Sequence, residues 1–290
     1  MFFPKVVRTF APVDPWLFNL IVMIRKHLSL VALLLSMSVC AQESDYTLVW
    51  CDEFNEDGVL STDHWSYEYG YVRNHEAQWY QRDNARVEGG CLVIEARREE
   101  GEHPYTSASV NTRGHHDWLY GRFEVRACIP TAGGAWPAIW TLGRSLPWPS
   151  CGEIDIMEYY RIDGVPHILA NAAWGNDVRN SAVWSSRRIP FTHFTDADPH
   201  WADSFHVWRM DWDECYIRIF LDDELLNEVD LSRTANGRVG HGLNPFRQPH
   251  YLLLNLALGG DNGGDIDDSV MPLRYLIDYV RVYQRATSLP

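Results

Sequence analysis

The chain is predicted to fold as an all-β sandwich or barrel, and three observations carry that expectation. Helix-period apolar stripes are scarce after residue 45, whereas short runs rich in Val, Ile, Tyr, Phe and Trp recur between clusters of Gly, Pro, Asn and Asp. Of the 290 residues 46% are hydrophobic and 22% charged, with 13 Trp, 14 Tyr and 11 Phe, which is enough to fill one large core. No internal repeat, linker or low-complexity tract divides the sequence, so a single domain is expected over residues 45–284.

Residues 46–57, YTLVWCDEFNED, read as an opening strand and turn. In 86–97, RVEGGCLVIEAR, a Gly-Gly turn leads into a strand whose Leu92, Ile94 and Ala96 share one face. YGRFEVRACIP at 120–130 alternates and is stopped by Pro130. In TAGGAWPAIWTLG, Gly133 and Gly134 make a loop, and Trp136 and Trp140 flank an apolar strand. FHVWRMDW at 205–212, CYIRIFLDDELL at 215–226 and HYLLLNLALGG at 250–260 are the next candidate strands. In YLIDYVRVYQ at 275–284, Tyr275, Ile277 and Tyr279 share one face and Leu276, Val280 and Val282 the other. That predicts a strand buried on both sides.

The stretch CGEIDIMEYY at 151–160 carries the chemistry. Alternation along a strand points Glu153 and Asp155 one way and Ile154 and Ile156 the other. Strict alternation would send Glu158 to the apolar side, where an unpaired carboxylate costs several kcal/mol. A one-residue bulge near Met157 would return it to the Glu153 face, and bulges commonly re-aim active-site side chains. Four strand steps of ~3.3 Å then separate the two glutamates at Cα, roughly 13 Å. Their arms can lean together toward the ~5–5.5 Å between carboxyls that retaining glycosidases use. Crowding three like charges forces their proton affinities apart, giving one group that holds a proton beside one that stays ionised. The plain alternative is a solvated or metal-binding acidic face, although carboxylates are disfavoured in strands.

The composition narrows the partners. A formal charge of −14 argues against nucleic acid or an anionic membrane surface. Thirteen tryptophans exceed ordinary packing needs, and the C–H faces of sugar rings stack on indole planes. From Met23 a basic start, an apolar run and a small-residue end read as a secretory signal over 23–41, with cleavage after Ala41. The apolar run is too short for a membrane span. Residues 1–22 read as an upstream extension, and Cys40 offers a rival lipid-modified end. A secreted, periplasmic or cell-surface location is therefore expected. Five cysteines follow the signal with no CxxC pair, so mostly free, buried thiols are expected. His115 and His116 are the only hint of a metal hydrolase, and adjacent histidines on a strand would point to opposite faces.

Taken together, GEIDIMEYY with WCDEFN, NHEAQWY, YGRFEVRACIP, GAWPAIWTLG, FHVWRMDW, LLLNLALGG and IDYVRVYQ resembles glycoside hydrolase family 16, in particular its laminarinase-like branch. The resemblance implies a concanavalin A-like β-jelly-roll sandwich with a concave substrate cleft, and retaining endo-hydrolysis of β-linked polysaccharide such as β-1,3-glucan. It makes Glu153 the nucleophile and Glu158 the general acid/base, with Asp155 tuning their proton affinities. Asn74 and Glu76 match a cleft-lining N-x-E, as sugar-hydroxyl ligands or as loop caps. Trp136 matches a substrate-platform tryptophan, with Trp140, Trp118 and Trp174 as further candidates. Glu53, Gly90 and Asp278 correspond to a structural calcium site of the family, while catalysis is expected to need no cofactor. The expected state is a monomer acting on a polysaccharide or glycan.

The chain also departs from that pattern. Where laminarinases usually carry H-G-T-x-H on the strand after the catalytic one, Leu169 to Trp174 read LANAAW. The loop GGDNGGDIDD lacks the tryptophan often found after its Gly-Gly pair. A β-galactan or mucin-type O-glycan is therefore a rival substrate. A catalytically silent glycan-binding jelly roll is a third reading, against which the complete carboxylate set speaks.

Overall fold

The computed structural model describes residues 46–285. The expected signal at 23–41 and Cys40 lie outside the described residues. In chain order the first strands are β1 (Tyr46–Asp52), β2 (Ser66–Tyr67), β3 (Trp79–Tyr80), β4 (Ala85–Glu88), β5 (Cys91–Arg98) and β6 (Tyr105–Ser107). They are followed by β7 (Ser109–Asn111), β8 (Gly121–Cys128), β9 (Ala135–Gly143), β10 (Glu153–Ile162), β11 (Val165–Gly175) and β12 (Ala182–Pro190). The last are β13 (His206–Trp212), β14 (Tyr216–Leu221), β15 (Glu224–Asp230), β16 (His250–Leu258) and β17 (Leu273–Arg285). Helical segments among the described residues are short turns.

Two sheets pack face to face as a β-jelly-roll sandwich. One runs β15-β14-β13-β8-β17-β5-β6-β3, with β1 paired to β17 and β4 to β5; the other runs β12-β11-β10-β9-β16-β7-β2. Alternation explains the core between them. Phe123, Val125 and Ala127 of β8 turn inward, as do Leu92, Ile94 and Ala96 of β5, against Ile154 and Ile156 of β10. Strand β16 is buried along its whole length for two different reasons. Leu252, Leu254, Leu256 and Leu258 enter the sandwich core, while Tyr251 and Leu253 join Ala138 and Trp140 in a second apolar cluster. That second cluster belongs to the outer face of the seven-stranded sheet and floors a cleft.

Three sequence expectations are corrected. Residues 215–226 are not one strand but a hairpin, β14 to β15, turned at Asp222 and Asp223 with φ of 46° and 71°. Positive φ at both central residues is what a tight type I′ hairpin requires, and aspartate tolerates it. Strand β17 is not buried on both sides. Its register slips between Ile277 and Tyr279, so the buried set changes from Tyr275 and Ile277 to Val280 and Val282. One bulge lets a single inward face look two-sided in the sequence. All five described cysteines are free, as expected, but only Cys151 is buried while Cys51 and Cys215 are exposed.

Glycines set the entry to β10. Gly152 has φ of +80°, and a Cβ there would lie 2.8 Å from Cβ of Pro245. A Cβ on Gly143, at the end of neighbouring β9, would stand 2.1 Å from the Cys151 carbonyl oxygen. The backbone just before Glu153 is thereby held against β9 at a distance only glycine permits.

Candidate active site

The bulge in β10 is present. Against β9 the register steps from Asp155↔Trp140 to Met157↔Ile139, and against β11 from Asp155↔Asn171 to Glu158↔Leu169. Ile156 and Met157 therefore sit side by side in the core, both fully buried. The extra residue restores Glu158 to the face shared by Glu153 and Asp155. Three lateral rows then cross the sheet: Leu142, Glu153, Ala173 and Trp184; Trp140, Asp155, Asn171 and Ser186; Ala138, Glu158, Leu169 and Arg188.

The three carboxylates line one cleft of about 570 Å³, together with Asn74, Glu76, Trp136 and Trp140. Each carboxylate accepts from an uncharged donor. The Trp148 indole Nε1 donates to Glu153 at 2.8 Å and the Trp136 Nε1 donates to Glu158 at 3.0 Å. Asn171, 2% exposed, donates through Nδ2 to Asp155 at 3.2 Å and to Glu158 at 2.9 Å. Asp155 bonds through its side chain to both glutamates.

Burial dominates the electrostatics of this trio. It pushes the proton affinity of Glu153 up, with the Glu158 charge adding to it and the Trp148 bond opposing it. Glu158 is raised by burial and eased down by its bonds from Trp136 and Asn171. Asp155 is raised well above the usual carboxylate range, by burial and then by the charges of Glu158 and Glu153. Asp155 is therefore the natural holder of a proton, which its single O–H can donate to one neighbouring glutamate at a time.

Glu76 accepts from Gln78 Nε2 at 2.7 Å, Tyr80 OH at 3.0 Å and Asn74 Nδ2 at 3.3 Å, so both N-x-E residues are fixed on the cleft wall. Trp140 Nε1 donates to Asn255 at 2.7 Å, and the Arg73 guanidinium lies 5.0 Å from its ring centre. Trp118 and Trp174 do not reach the cleft. Trp118 packs edge-on against Phe123 with centroids 5.7 Å apart, and Trp174 meets Phe246 at 6.3 Å. Both belong to the sandwich core. For Trp174 the cause is parity, since Asn171 and Ala173 take the cleft side of β11.

The calcium expectation does not fit these residues. Glu53 is held through both oxygens by Arg281 at 2.7 and 2.8 Å, and Asp278 pairs with Arg126 at 2.6 Å. Carboxylates already neutralised by guanidinium groups do not offer the anionic oxygen cage calcium takes. Gly90 is the turn residue of the β4–β5 hairpin, with φ of 79°. His115 and His116 lie in a turn rather than on a strand, and His116 contacts His64 at 2.8 Å. Among the described residues no group of three His, Cys, Asp or Glu is placed to hold a metal ion.

Sequence reasoning missed Trp148, Asn171, Trp184 and Arg188 as cleft residues. Asn171 was visible only as a departure from a family pattern. Trp148 sits on a loop whose path no local periodicity predicts, and β12 carries no alternating apolar signal, being largely exposed.

Residues 72–281 match the sequence pattern of glycosyl hydrolases family 16. A β-glucanase of Rhodothermus marinus is 38% identical, over 90% of this chain and 95% of its own. The laminarinase catalytic domain of Thermotoga maritima superposes with a TM-score of 0.72 at 34% identity, covering 84% of this chain and all of that one. A structure solved in work on endo-acting O-glycanases of the human gut microbiota, which initiate mucin breakdown, has a TM-score of 0.73 at 34% identity, covering 84% and 92%. With its jelly roll, bulged carboxylate strand and matching sequence pattern, this chain belongs to glycosyl hydrolase family 16 and is an O-glycosyl hydrolase.

Proposed function

We propose that Glu153 is the nucleophile and Glu158 the general acid/base of a double-displacement cleavage of β-1,3- or mixed-linkage β-glucan. The observation that carries this is the bulged strand, which sets both glutamates on one cleft floor with a single aspartate bonded to each. Glu158, protonated, gives its proton to the leaving glycosidic oxygen as Glu153 attacks the anomeric carbon. Glu158 then takes a proton from the water that releases the sugar from Glu153. The donors on Glu153 and Glu158 come from indole and amide groups, which hold orientation without exchanging protons.

Retention is the expected outcome. Proton NMR of laminarin hydrolysis should show the β-anomer of the new reducing end before mutarotation, and an initial α-anomer would refute the two-step scheme. Laminarin, mixed-linkage glucan, galactan and mucin O-glycans assayed side by side define the chain. The galactose-containing reading is favoured by LANAAW at 169–174 and by the resemblance to the O-glycanase structure, while similarity to laminarinases and β-glucanases supports glucan.

The basic, apolar and small-residue order of 23–41 supports export. Protein recovered from outside the producing cell should begin at Gln42. Recovery only in the cytoplasm with residues 23–41 intact would contradict export, and a blocked, lipid-bearing Cys40 would establish the anchored form.

A further inference from the structure

We propose that the β12 side of the cleft, formed by Trp184, Ser186 and Arg188, is a subsite for a sugar that carries an anionic substituent, either a sulfate ester or a carboxylate. The inference rests on the glycosidase reading and extends it to which chains the cleft accepts. The chain contains no lysine after Lys26, so the folded domain's permanent cations are all guanidinium groups, whose planar fork matches the oxygens of both substituents.

Two arginines line the cleft, and they differ in what they have left to offer. Arg73 is paired with Glu68 and lies against the Trp140 ring, so its charge is already balanced. Arg188 is exposed and, among the described residues, has no carboxylate within ion-pair distance. The positive charge available to a bound chain is therefore gathered at the β12 edge.

The row geometry gives that charge a purpose. Arg188 shares a row with Glu158, two strands away, on the order of 10 Å at the usual strand spacing. An anion in the middle of the cleft would meet three clustered carboxyls, offset only by Arg73, which is already paired with Glu68. At the β12 edge it is about one screening length from them and beside a free guanidinium. Trp184, 46% exposed in the Glu153 row, presents an indole face on which the same sugar ring can stack. Ser186 lies between the two and supplies a hydroxyl. The substituent is thus accepted on one side of the cut and repelled at the cut itself.

The test compares laminarin with sulfated laminarin and carboxymethyl-curdlan, each lightly substituted; if the substrate panel identifies a galactan, its neutral and sulfated forms replace them. The readout is the ratio of kcat/KM on charged and neutral chains. Arg188→Gln should lower that ratio roughly three- to tenfold, and Arg188→Lys by less. Arg187→Gln removes the same charge from the opposite face of β12 and should leave the ratio unchanged. A fall confined to the sulfated chain identifies sulfate, and one confined to the carboxymethylated chain identifies carboxylate. Mass spectrometry of wild-type products should find substituents enriched on one side of the cleaved bond. An unchanged ratio in Arg188→Gln, or the same change in Arg187→Gln, overturns the subsite. If wild type cuts no chain at all, the glycosidase reading fails instead. Calorimetry of Glu153→Gln with the same chains then still reads the subsite, and equal affinity for charged and neutral chains overturns it.

Discussion

Glu153→Gln is expected to lower kcat on the natural chain by about 10⁴-fold or more, with the fold intact. The amide keeps the shape of the side chain and can still take the Trp148 bond through its oxygen, but it cannot form the glycosyl ester. Glu158→Gln should cost about as much on a polysaccharide, because the leaving sugar oxygen needs a proton. It should cost far less on an aryl glycoside whose leaving group departs unaided. Azide separates the two roles by stereochemistry. With Glu153→Ala, azide enters from the face the nucleophile vacated and yields the α-glycosyl azide. With Glu158→Ala, it attacks the glycosyl-enzyme formed by Glu153 and yields the β-azide. The same anomer from both variants, or full activity in either, would remove the assignment.

The second expected result is a stability gain from the same substitution, and it depends on pH. Burial raises the Glu153 carboxyl from 4.5 to about 7 in the folded chain. Between those values the folded state keeps a proton that the unfolded chain has released, so stability falls as pH rises through that window. Below 4.5 both states are protonated and the penalty disappears. Glu153→Gln removes the ionisation and should stabilise the protein by about 3 kcal/mol at pH 7.5 and by almost nothing at pH 4.5. For a domain of this size that is a rise in Tm of roughly 6–12 °C at the higher pH.

Comparing variant with wild type at each pH matters here, because His250 works in the opposite sense. It is buried and lowered to about 4, so the unfolded chain alone binds its proton between about 4 and 6.5, which removes stability as pH falls. That contribution cancels in the difference. Thermal melts from pH 4.5 to 7.5 that show a constant difference, or a destabilised variant at pH 7.5, would mean that the carboxylate trio carries no such penalty.

These two results share one cause. The cleft holds its carboxyls where water cannot fully solvate them, which costs folding free energy and spreads their proton affinities as the proposed nucleophile and proton donor require. Asp155 and Asn171 keep the arrangement ordered. Asn171 bridges Asp155 and Glu158 with one amide group, and Glu158 cannot turn away without losing its bonds from Asn171 and Trp136. A proton held by the aspartate removes one of the three charges and can be donated to one neighbouring glutamate at a time, which lets three acids share a space that three charges cannot.

The bulged carboxylate strand was legible in the sequence because everything about it is local. Alternation places Glu153 and Asp155 together, the apolar neighbours name the opposite face, and the misfit of Glu158 demands one inserted residue between Asp155 and Glu158. None of those steps needs another strand. The tryptophans were not legible in the same way. In a two-layer sandwich whose outer face is itself an apolar floor, both faces of β9, β11 and β16 read as hydrophobic. Local pattern therefore distinguishes the two faces of each strand without saying which one meets the substrate. Register decides it: Trp136 and Trp140 fall in the cleft, Trp174 falls in the core by parity, and Trp118 is captured by Phe123.

Charge pairing followed the same division. Glu53 and Asp278 are oxygen ligands by type, yet Arg281 and Arg126, brought to them by the packing of β17 and β8, already occupy their carboxylates. Arg188 is one arginine among many in the sequence, and only its place on the edge strand, in the row of Glu158, sets it over the cleft without a partner. The three carboxyls on which the proposed bond-cutting chemistry rests lie within six residues of one strand, so local pattern was enough to find them. Which side chains line the cleft is set by register instead, because a cleft wall is assembled from strands and loops far apart in the chain, whose relative register no local periodicity encodes.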